Sequence, residues 1–218
     1  MSRPIQRQPL TRERILRAAL HVVDRDGLDA LSMRRVGEEL SVEAMSLYNH
    51  VENKRAMLDG VFEAVLSELP PAKRHRSWSA ALRERGLALR AVLRAHPNAL
   101  PLFATRAAVT PAAIADLEAV LALLHDAGFR PEDALRTLQV LLAFVVGHTI
   151  ATHGTRRPDE ESRPDYERFS EETFPRVREM ARVLATRDLE REFEFGLDAM
   201  LAGIAGRRAS VPRGAVVR

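Results

Sequence analysis

The sequence predicts an all-α protein, and three observations carry this prediction. Apolar residues recur with the 3.6-residue period of a helix along almost the whole chain of 218 residues. No run of four or more residues alternates between apolar and polar side chains as a half-buried strand does. Residues that typically begin or end helices also lie between the periodic segments. Function must therefore be sought on helices and on the turns that join them.

Four helices are predicted in the N-terminal third of the chain. Three of them follow a side chain that can accept a hydrogen bond from the first helical turn, namely Thr11, Ser32 and Asn53. The first helix ends at Gly27, and the fourth ends before Pro70–Pro71 because proline has no N–H to donate. With their caps, the predicted spans are residues 11–27, 32–40, about 43–49, and 53–69.

The rest of the chain is predicted to contain five further helices and a short apolar segment. The helix over 132–152 is apolar on all sides, so it must be covered on more than one face. Residues 153–165 contain two prolines and no large hydrophobe, which predicts a mobile loop. The predicted helices span residues 77–95, 111–127, 132–152, 166–185 and 189–205, and the short apolar segment spans 100–105.

Composition excludes several classes of site. The chain has no cysteine, so it has no thiolate zinc site, iron–sulfur cluster or thiol nucleophile. His148 and His153 are five residues apart and cannot face one metal ion from one helix, and no metal or cofactor site is predicted. The longest apolar run, 140–147, is too short to cross a bilayer, and residues 1–10 lack the apolar core of a signal peptide. We expect a cytoplasmic protein with no membrane partner.

Positive charge is concentrated at the two ends of the chain. Residues 1–17 contain five arginines and one glutamate, a net charge of +4, and residues 207–218 contain four arginines, although the whole chain carries only +3. A basic N-terminal arm on a mildly acidic body fits a polyanionic partner at that end. The alternative is that the arm is simply a solvated tail.

The strongest motif runs from Ser32 to Val51. Two short helices joined by a tight turn need apolar residues where they pack and a small residue where they cross, and Gly37 supplies the latter. The packing positions are Val36, Leu40, Val42, Leu47 and Val51. Packing leaves Ala44, Met45, Ser46 and Asn49 pointing outward, where they can enter a major groove. This is helix-turn-helix spacing, and the alternative is a helical hairpin inside an ordinary bundle.

Three segments of the N-terminal region resemble the DNA-binding domain of TetR-type repressors. They are residues 11–20, residues 26–36, and the string Leu47-Tyr48-Asn49-His50-Val51-Glu52-Asn53-Lys54-Arg55 with the apolar residues after it. The last string is closest to the tetracycline-repressor branch of that family. Looser similarity to the ligand-binding and dimerisation domain of that branch continues at residues 117–121, 127–129, 132–135 and 193–197. One departure is Ser41, which stands where the turn usually has glycine and therefore needs a left-handed conformation costing about 1 kcal/mol.

The resemblance implies roles for eight residues at a DNA interface. Those that would face base edges are Arg34, Ala44, Met45, Ser46 and Asn49, and those that would hold phosphates are Tyr48, His50 and Lys54. Arginine offers a bidentate fork to guanine and asparagine pairs with adenine, so the residue types suit these roles. Tyr48 and His50 have packing roles as their alternatives.

The resemblance also implies an effector cavity in the C-terminal domain. Its expected residues are Arg85, Leu89, Phe103, Thr105, Arg106, Phe144 and His148, with a core role as the alternative for His148. This set suits a mostly apolar molecule with one or two hydrogen-bonding or anionic groups. The histidine and glutamate that hold magnesium-tetracycline in that branch fall here on Leu102 or Phe103 and on Ala151, so we expect no response to that ligand.

Together these features predict a homodimeric, ligand-responsive repressor that binds double-stranded operator DNA and is not an enzyme. The expected domains are residues 1–55 for DNA binding and 56–206 for effector binding and dimerisation, with helix 54–69 connecting them and 207–218 as a basic disordered tail. Two other classes remain open: a helical-bundle enzyme or carrier, which would not bind DNA, and an architectural DNA-binding protein, which would not respond to a ligand.

Overall fold

A computed structural model describes residues 9–71, 77–106, 111–154, 166–184 and 186–210. Within these ranges the chain forms ten α-helices and short 3-10 turns, and none of these residues is in a strand. The all-α prediction is confirmed. The basic arm before Pro9, residues 155–165 of the predicted loop, and the tail after Ser210 lie outside the described residues.

The chain divides into two compact units, residues 1–153 and 154–218. The first contains α1 (Arg12–Asp26), α2 (Met33–Leu40), α3 (Ala44–Leu47), α4 (Lys54–Ser67), α5 (Trp78–Ala95), α6 (Leu100–Thr105), α7 (Pro111–Asp126) and α8 (Pro131–His153). The second contains α9 (Pro175–Leu184) and α10 (Leu189–Ser210).

The predicted helix starts are confirmed where the structure shows the capping bonds. The side chain of Thr11 accepts from the backbone N–H of Arg14 at 3.2 Å, and that of Ser32 accepts from Arg35 at 3.2 Å. Asn53 accepts from the N–H of Ala56 at 2.9 Å, and Ser77 caps α5 in the same way. Such caps are each worth about 1 kcal/mol, so local sequence determines where these helices begin.

One hydrophobic core runs through the N-terminal helices and into the helices that follow. α1 packs on α4 and on α2, and its fully buried residues include Ile15, Ala19 and Val23. The same core contains Val92 of α5 and Leu102 of α6. The first four helices are therefore packed directly against the next two, so a displacement of one set is felt by the other.

Three predicted helices differ from the observed ones. α3 covers only four residues, because positions 48–50 form turns in which His50 and Val51 both donate to the carbonyl of Leu47 at 2.9 Å. The predicted helix over 166–185 is wrong: a 3-10 turn at Tyr166–Arg168 and α9 are separate, and proline at position 175 begins α9. α10 continues to Ser210, so residues 207–210 are helical and do not belong to a disordered tail.

By its length and composition alone α8 could cross a membrane, although only part of it is buried. Its buried positions include two threonines, Thr137 and Thr149, whose hydroxyls donate to backbone carbonyls one turn earlier. A further set of side chains on this helix is exposed, including Val140, Ala143 and Ile150. Apolar character on all sides of the helix is thus confirmed, and part of that apolar surface is exposed among the described residues.

Candidate nucleic-acid interface and effector cavity

α2 and α3 are joined by a tight turn at Ser41. Ser41 has φ 54° and ψ 44°, the left-handed conformation that the sequence predicts there, and it is the one non-glycine residue with positive φ among those described. Its N–H donates to the carbonyl of Glu38 at 3.1 Å, and Val42 donates to that of Gly37 at 2.9 Å. These bonds hold the two helices at a fixed angle.

Gly37 lies where α2 meets the start of α3. A Cβ added at Gly37 would lie 2.9 Å from the carbonyl oxygen of Val42 and 3.3 Å from the nitrogen of Ala44, both of them backbone atoms. The prediction that a small residue is needed where the two helices cross is confirmed. Ala44 is half-buried as a result and packs against the hydrophobic core.

The other predicted contacts of α3 and its following turn form an outward surface. Met45 is 74% exposed and Tyr48 is 46% exposed, while Asn49 and His50 are also exposed and Ser46 is half-buried. Tyr48 and His50 are therefore not core residues. Leu47 and Val51 of the same segment are buried. A short helix that presents polar and soft apolar side chains outward while burying the residues between them is suited to a groove in DNA.

Arg34 and Lys54 are both exposed. The side chain of Arg34 is 87% exposed, and its nearest carboxylate oxygen, on Glu38, lies 3.5 Å away. Lys54 is the first residue of α4. Neighbouring Arg35 is held differently, because it donates to Asp26 at the end of α1 at 2.9 Å. Arg34 is thus the arginine of this pair that projects into solvent.

A cluster of charges fixes α2 against the end of α1. Asp26 accepts from Arg25 and Arg35, and these two guanidinium groups lower the pKa of Asp26 to about 2. Arg25 also donates to Glu39 of α2 at 3.0 Å, and hydrogen bonding to Arg25 lowers the pKa of Glu39. The cluster is solvent-exposed, so its effect is on orientation more than on stability.

A cavity of about 650 Å³ lies among α4, α5, α7 and α8. That volume is within the usual range for small-molecule sites. Most of its wall is apolar, with a few charged side chains. The lining residues are Phe62, Glu63, Leu66, Ser67, Leu69, Leu82, Arg85, Gly86, Leu89, Phe103, Arg106, Ala113, Asp116, Leu117, Val120, Leu138, Leu141, Leu142 and Val145.

Four of the seven predicted effector-site residues line this cavity and three do not. Arg85, Leu89, Phe103 and Arg106 are in its wall. Thr105 is exposed and donates to the carbonyl of Pro101 within its own helix at 3.2 Å. Phe144 and His148 lie outside the wall, with their rings 5.7 Å apart on α8.

Sequence reasoning missed the contribution of α4 to the cavity. Phe62, Leu66 and Leu69 line it, and the ring of Phe62 lies 4.7 Å from that of Phe103. A signal for this was present, because the apolar stripe of the helix is too broad for one contact face: Val61 and Val65 are buried beside Phe62. The helix that begins at Lys54 therefore also forms a wall of the cavity.

The two arginines in the cavity wall are each paired with a carboxylate. Arg85 pairs with Asp116 of α7 and donates to the carbonyl of Pro70 at 2.9 Å. Arg106 pairs through Nη1 with Asp59 of α4. The Nε of Arg106 is buried and has no hydrogen-bond partner among the described residues.

His96, at the end of α5, joins three helices through carboxylates. Its Nδ1 lies 2.9 Å from Asp24 of α1, and its Nε2 lies 3.0 Å from Glu68 at the end of α4. Burial lowers the pKa of His96, but the bonds to Glu68 and Asp24 outweigh it, so the net effect is a raised pKa. An imidazole with a carboxylate at each nitrogen is satisfied as a cation, since both nitrogens then donate.

The positions aligned with the metal-holding histidine and glutamate carry hydrocarbon side chains. Leu102 is buried, Phe103 is in the cavity wall and Ala151 is exposed on α8. Within the part of the chain that the structure describes, no group of three or more histidine and carboxylate side chains could hold a metal ion.

Two family models match the chain and together cover most of it. The model for bacterial regulatory proteins of the tetR family matches residues 15–61. The model for the tetracyclin repressor-like C-terminal domain matches residues 70–208.

Individual relatives agree with these matches. The tetracycline repressor protein class G of Vibrio anguillarum is 30% identical over 206 residues, which cover 90% of this chain and 94% of that protein. An HTH-type transcriptional regulator of Saccharopolyspora erythraea is 38% identical over 152 residues, 69% of this chain and 64% of that protein. The crystal structure of the TetR family protein ActR of Streptomyces coelicolor in complex with actinorhodin has a TM-score of 0.78 and 31% identity, covering 92% of this chain and 99% of ActR.

Proposed function

We propose, from the premise that this chain belongs to the TetR family of ligand-responsive transcriptional repressors, that it binds a palindromic operator as a homodimer and releases it when a small molecule fills the cavity. Members of this family are repressors and not enzymes. Within this proposal residues 1–55 bind DNA and residues 56–206 bind the effector and the second subunit, with the helix over 54–69 connecting them.

The observation that carries the proposal is the double role of α4. Its first residue, Lys54, is exposed and comes shortly after the exposed residues Tyr48, Asn49 and His50 in the chain, and its last turns provide Leu66 and Ser67 to the cavity wall. A ligand in the cavity therefore touches the helix that carries a DNA contact. Coupling between two sites requires an element that both sites bias, and α4 is such an element.

The proposed DNA contacts divide into two kinds. Arg34, Ala44, Met45, Ser46 and Asn49 would read base edges, and Tyr48, His50 and Lys54 would hold phosphates. Their exposure supports this division, except that Ala44 and Ser46 are half-buried and can contribute only through their outer atoms. In a two-fold dimer the two reading surfaces would lie about 34 Å apart, one helical turn of DNA.

The proposed effector is mostly apolar with one or two polar groups, which fits a wall dominated by leucine, valine and phenylalanine. Arg85, Leu89, Phe103 and Arg106 are its proposed contacts. Thr105, Phe144 and His148 are outside the wall and would reach a ligand only after a rearrangement.

The homodimer is proposed to form through α8 and α10, as a four-helix bundle of two subunits. The uncovered side of α8 supports this, because Val140, Ala143, Gly147 and Ile150 are exposed and a Cβ at Gly147 would meet nothing within 4 Å. Gly196 and Gly203 are the proposed points of close approach on α10. We propose that α8 serves this interface and the cavity in a cytoplasmic protein, which accounts for its apolar length without a membrane.

Selection of operator sequences from random double-stranded DNA tests the proposal directly. We expect the full-length protein to enrich a palindromic sequence and to bind it with an affinity that falls steeply with salt. A thermal-shift screen should then find small molecules that stabilise the protein and release that DNA. Absence of any enriched sequence would favour an enzyme or carrier, and DNA binding that no stabilising ligand reverses would favour an architectural protein.

A further inference from the structure

Arg34 and Arg35 are neighbours on α2, but carboxylates hold only Arg35 closely. Arg35 donates through Nε and Nη2 to one oxygen of Asp26, at 3.2 and 2.9 Å, and through Nη1 to Glu38 at 3.4 Å. All three of its guanidinium nitrogens are therefore engaged. The side chain of Arg34 is 87% exposed, and its Nε lies 3.5 Å from Glu38. A phosphate can approach Arg34 directly, whereas it must compete with carboxylates for Arg35.

Asp26, the last residue of α1, is the main acceptor for Arg35 and also binds Arg25. Arg25 donates to both oxygens of Asp26 at 3.0 Å, and it donates to a second carboxylate, on Glu39, at 3.0 Å. Without the charge of Asp26, Arg25 would keep its bond to Glu39. Arg35 would keep the longer contact to Glu38, so Arg35 is the arginine that loses its main partner.

Asp26 is ionised at neutral pH. Hydrogen bonds from Arg25, and then from Arg35, lower the pKa of its carboxyl to about 2. Its side chain is 24% exposed, against 44% for that of Arg35. A carboxylate on the same chain meets its arginine at a high effective concentration, so it competes with a phosphate even though an exposed ion pair by itself adds little stability.

Arg35 lies beside a residue that the proposed function places at DNA. Arg34 and Arg35 contact different oxygens of the same Glu38 carboxylate, at 3.5 and 3.4 Å, so their guanidinium groups are close neighbours. Double-stranded DNA carries one phosphate charge for about every 1.7 Å of its axis, so an arginine beside a base-reading residue has phosphates within reach. A phosphate contact there would raise the affinity for DNA of every sequence, because phosphates carry no sequence information.

We propose that Asp26 is an intramolecular competitor of the DNA backbone: it withholds Arg35 from phosphate and so lowers the affinity of the protein for DNA of any sequence. Asp26 acts through Arg35 and is thus a positioning residue and not a DNA contact. The consequence is that less of the repressor is retained on unrelated DNA. This inference rests on the proposed function, because it assumes that Arg34 lies at the DNA.

The salt dependence of DNA binding tests the inference, because the slope of log affinity against log salt concentration counts phosphate contacts. The full-length protein is titrated, without effector, against the selected operator and against a scrambled duplex of equal length. Asp26→Asn keeps the size of the side chain and removes its charge. We expect it to steepen the slope by about one unit for both duplexes and to strengthen binding about tenfold at about 50 mM salt. An unchanged slope, or weaker binding to both duplexes, would overturn the inference.

Two control variants remove an equal charge without releasing Arg35. Glu39→Gln lies in the same cluster, and it leaves Arg35 bound to Asp26. Asp133→Asn, on α8, removes a carboxylate that likewise accepts from two arginines. Each should change the slope by less than about half a unit. A change as large in Glu39→Gln as in Asp26→Asn would show that net charge accounts for the effect, and the assignment of Arg35 would be wrong.

Replacing Arg35 tests the same contact from the other side and does not depend on how Asp26→Asn folds. In the otherwise unsubstituted protein, Arg35→Gln should change the slope by less than about half a unit, since Asp26 already withholds the arginine. Added to Asp26→Asn, it should remove the extra unit of slope. A full unit lost in Arg35→Gln alone, or a gain that survives in the double variant, would contradict the inference.

The comparison of the two duplexes keeps this inference and the proposed function apart. If the wild type binds the operator and the scrambled duplex equally, the proposed function fails whatever the variants do. If the wild type prefers the operator while Asp26→Asn, with an unchanged melting temperature, shows the wild-type slope, the function stands and the role of Asp26 is wrong.

Discussion

The backbone nitrogen of Ala44 lies 3.3 Å from the point that a Cβ on Gly37 would occupy. Because the obstructing atoms belong to the backbone, no side-chain rotation can make room there. The angle between α2 and α3, and with it the position of Met45 and Asn49 relative to a groove, depends on this contact. Because Gly37 has no side chain, α2 and α3 can pack closely, and this packing sets the direction of the side chains on α3.

Replacing Gly37 by alanine is expected to destabilise the chain by about 1–3 kcal/mol, the usual cost of forcing an extra carbon into a packed contact. Operator affinity should fall further than the lost stability explains, since the helices must splay. Chemical denaturation and DNA titration measure the two effects. Gly206→Ala is the control, because a Cβ there meets nothing within 4 Å. A Gly37→Ala protein with normal stability and affinity would refute this account of the crossing.

Replacing Lys54 by alanine and replacing Asn49 by alanine are expected to change DNA binding in different ways. Lys54→Ala should weaken binding to all sequences alike and lower the salt slope by about one unit, because a phosphate contact carries no sequence information. Asn49→Ala should relax the preference at one base position. Repeating the operator selection with both variants makes the comparison. If Lys54→Ala alters sequence preference and Asn49→Ala does not, the register of the DNA-facing surface is misassigned.

A charge on the exposed side of α8 is expected to prevent dimer formation. Ala143→Glu should give a folded monomer with little operator affinity, measured by sedimentation at micromolar concentration. Val146 of the same helix is only 7% exposed within its own chain, so an aspartate there would destabilise the subunit itself and could not test the dimer. The matched control is Ala122→Glu on the exposed side of α7. A wild-type protein that sediments as a monomer would also contradict the dimer.

Stability should depend on pH through His96. Its pKa in the folded chain is raised above the ordinary value of 6.5, so its contribution is complete below about pH 6.5 and is lost as pH rises through the folded pKa. The free energy of unfolding of the wild type, relative to His96→Gln, should therefore fall as the pH rises above about 6.5. Urea denaturation across that range measures the difference, with exposed His125→Gln as control. A difference that is flat or rises with pH would contradict the carboxylate bonds.

Magnesium-tetracycline is expected not to release operator DNA at micromolar concentration. Leucine, phenylalanine and alanine offer no oxygen or nitrogen to a hard cation, so Leu102, Phe103 and Ala151 leave the ion with its water. Titration of the complex with tetracycline and Mg²⁺ provides the measurement. Release would show that these positions are misaligned with the metal-holding ones.

Features that depend on neighbouring residues could be predicted from the sequence, and features that depend on distant packing could not. The caps at Thr11, Ser32 and Asn53 and the strained turn at Ser41 each involve atoms a few residues apart, and each was predicted. The break before Pro175 was equally local but was missed, because the 3.6-residue pattern on either side of it suggests one continuous helix.

Only part of the cavity wall could be predicted from the sequence. Alignment of the resembling segments identified Arg85 and Arg106, but the face of α8 that turns toward the cavity carries Leu138, Leu141 and Val145 instead of Phe144 and His148. A helix that is apolar on every side gives no signal of its rotation, since each face is equally able to be buried. The pairing of Arg106 with Asp59, 47 positions apart, likewise has no signature in the order of residues.

α4 is one unbroken helix, so its two ends move together when it tilts. Its 14 residues span about 21 Å, at a rise of about 1.5 Å for each residue. If the helix tilts by about 5° around its cavity end, Lys54 at the other end travels about 2 Å, more than the tolerance of a hydrogen bond to phosphate. If Lys54 holds a phosphate as proposed, a tilt of this size would be enough to break that contact without unfolding the helix or bending it in the middle.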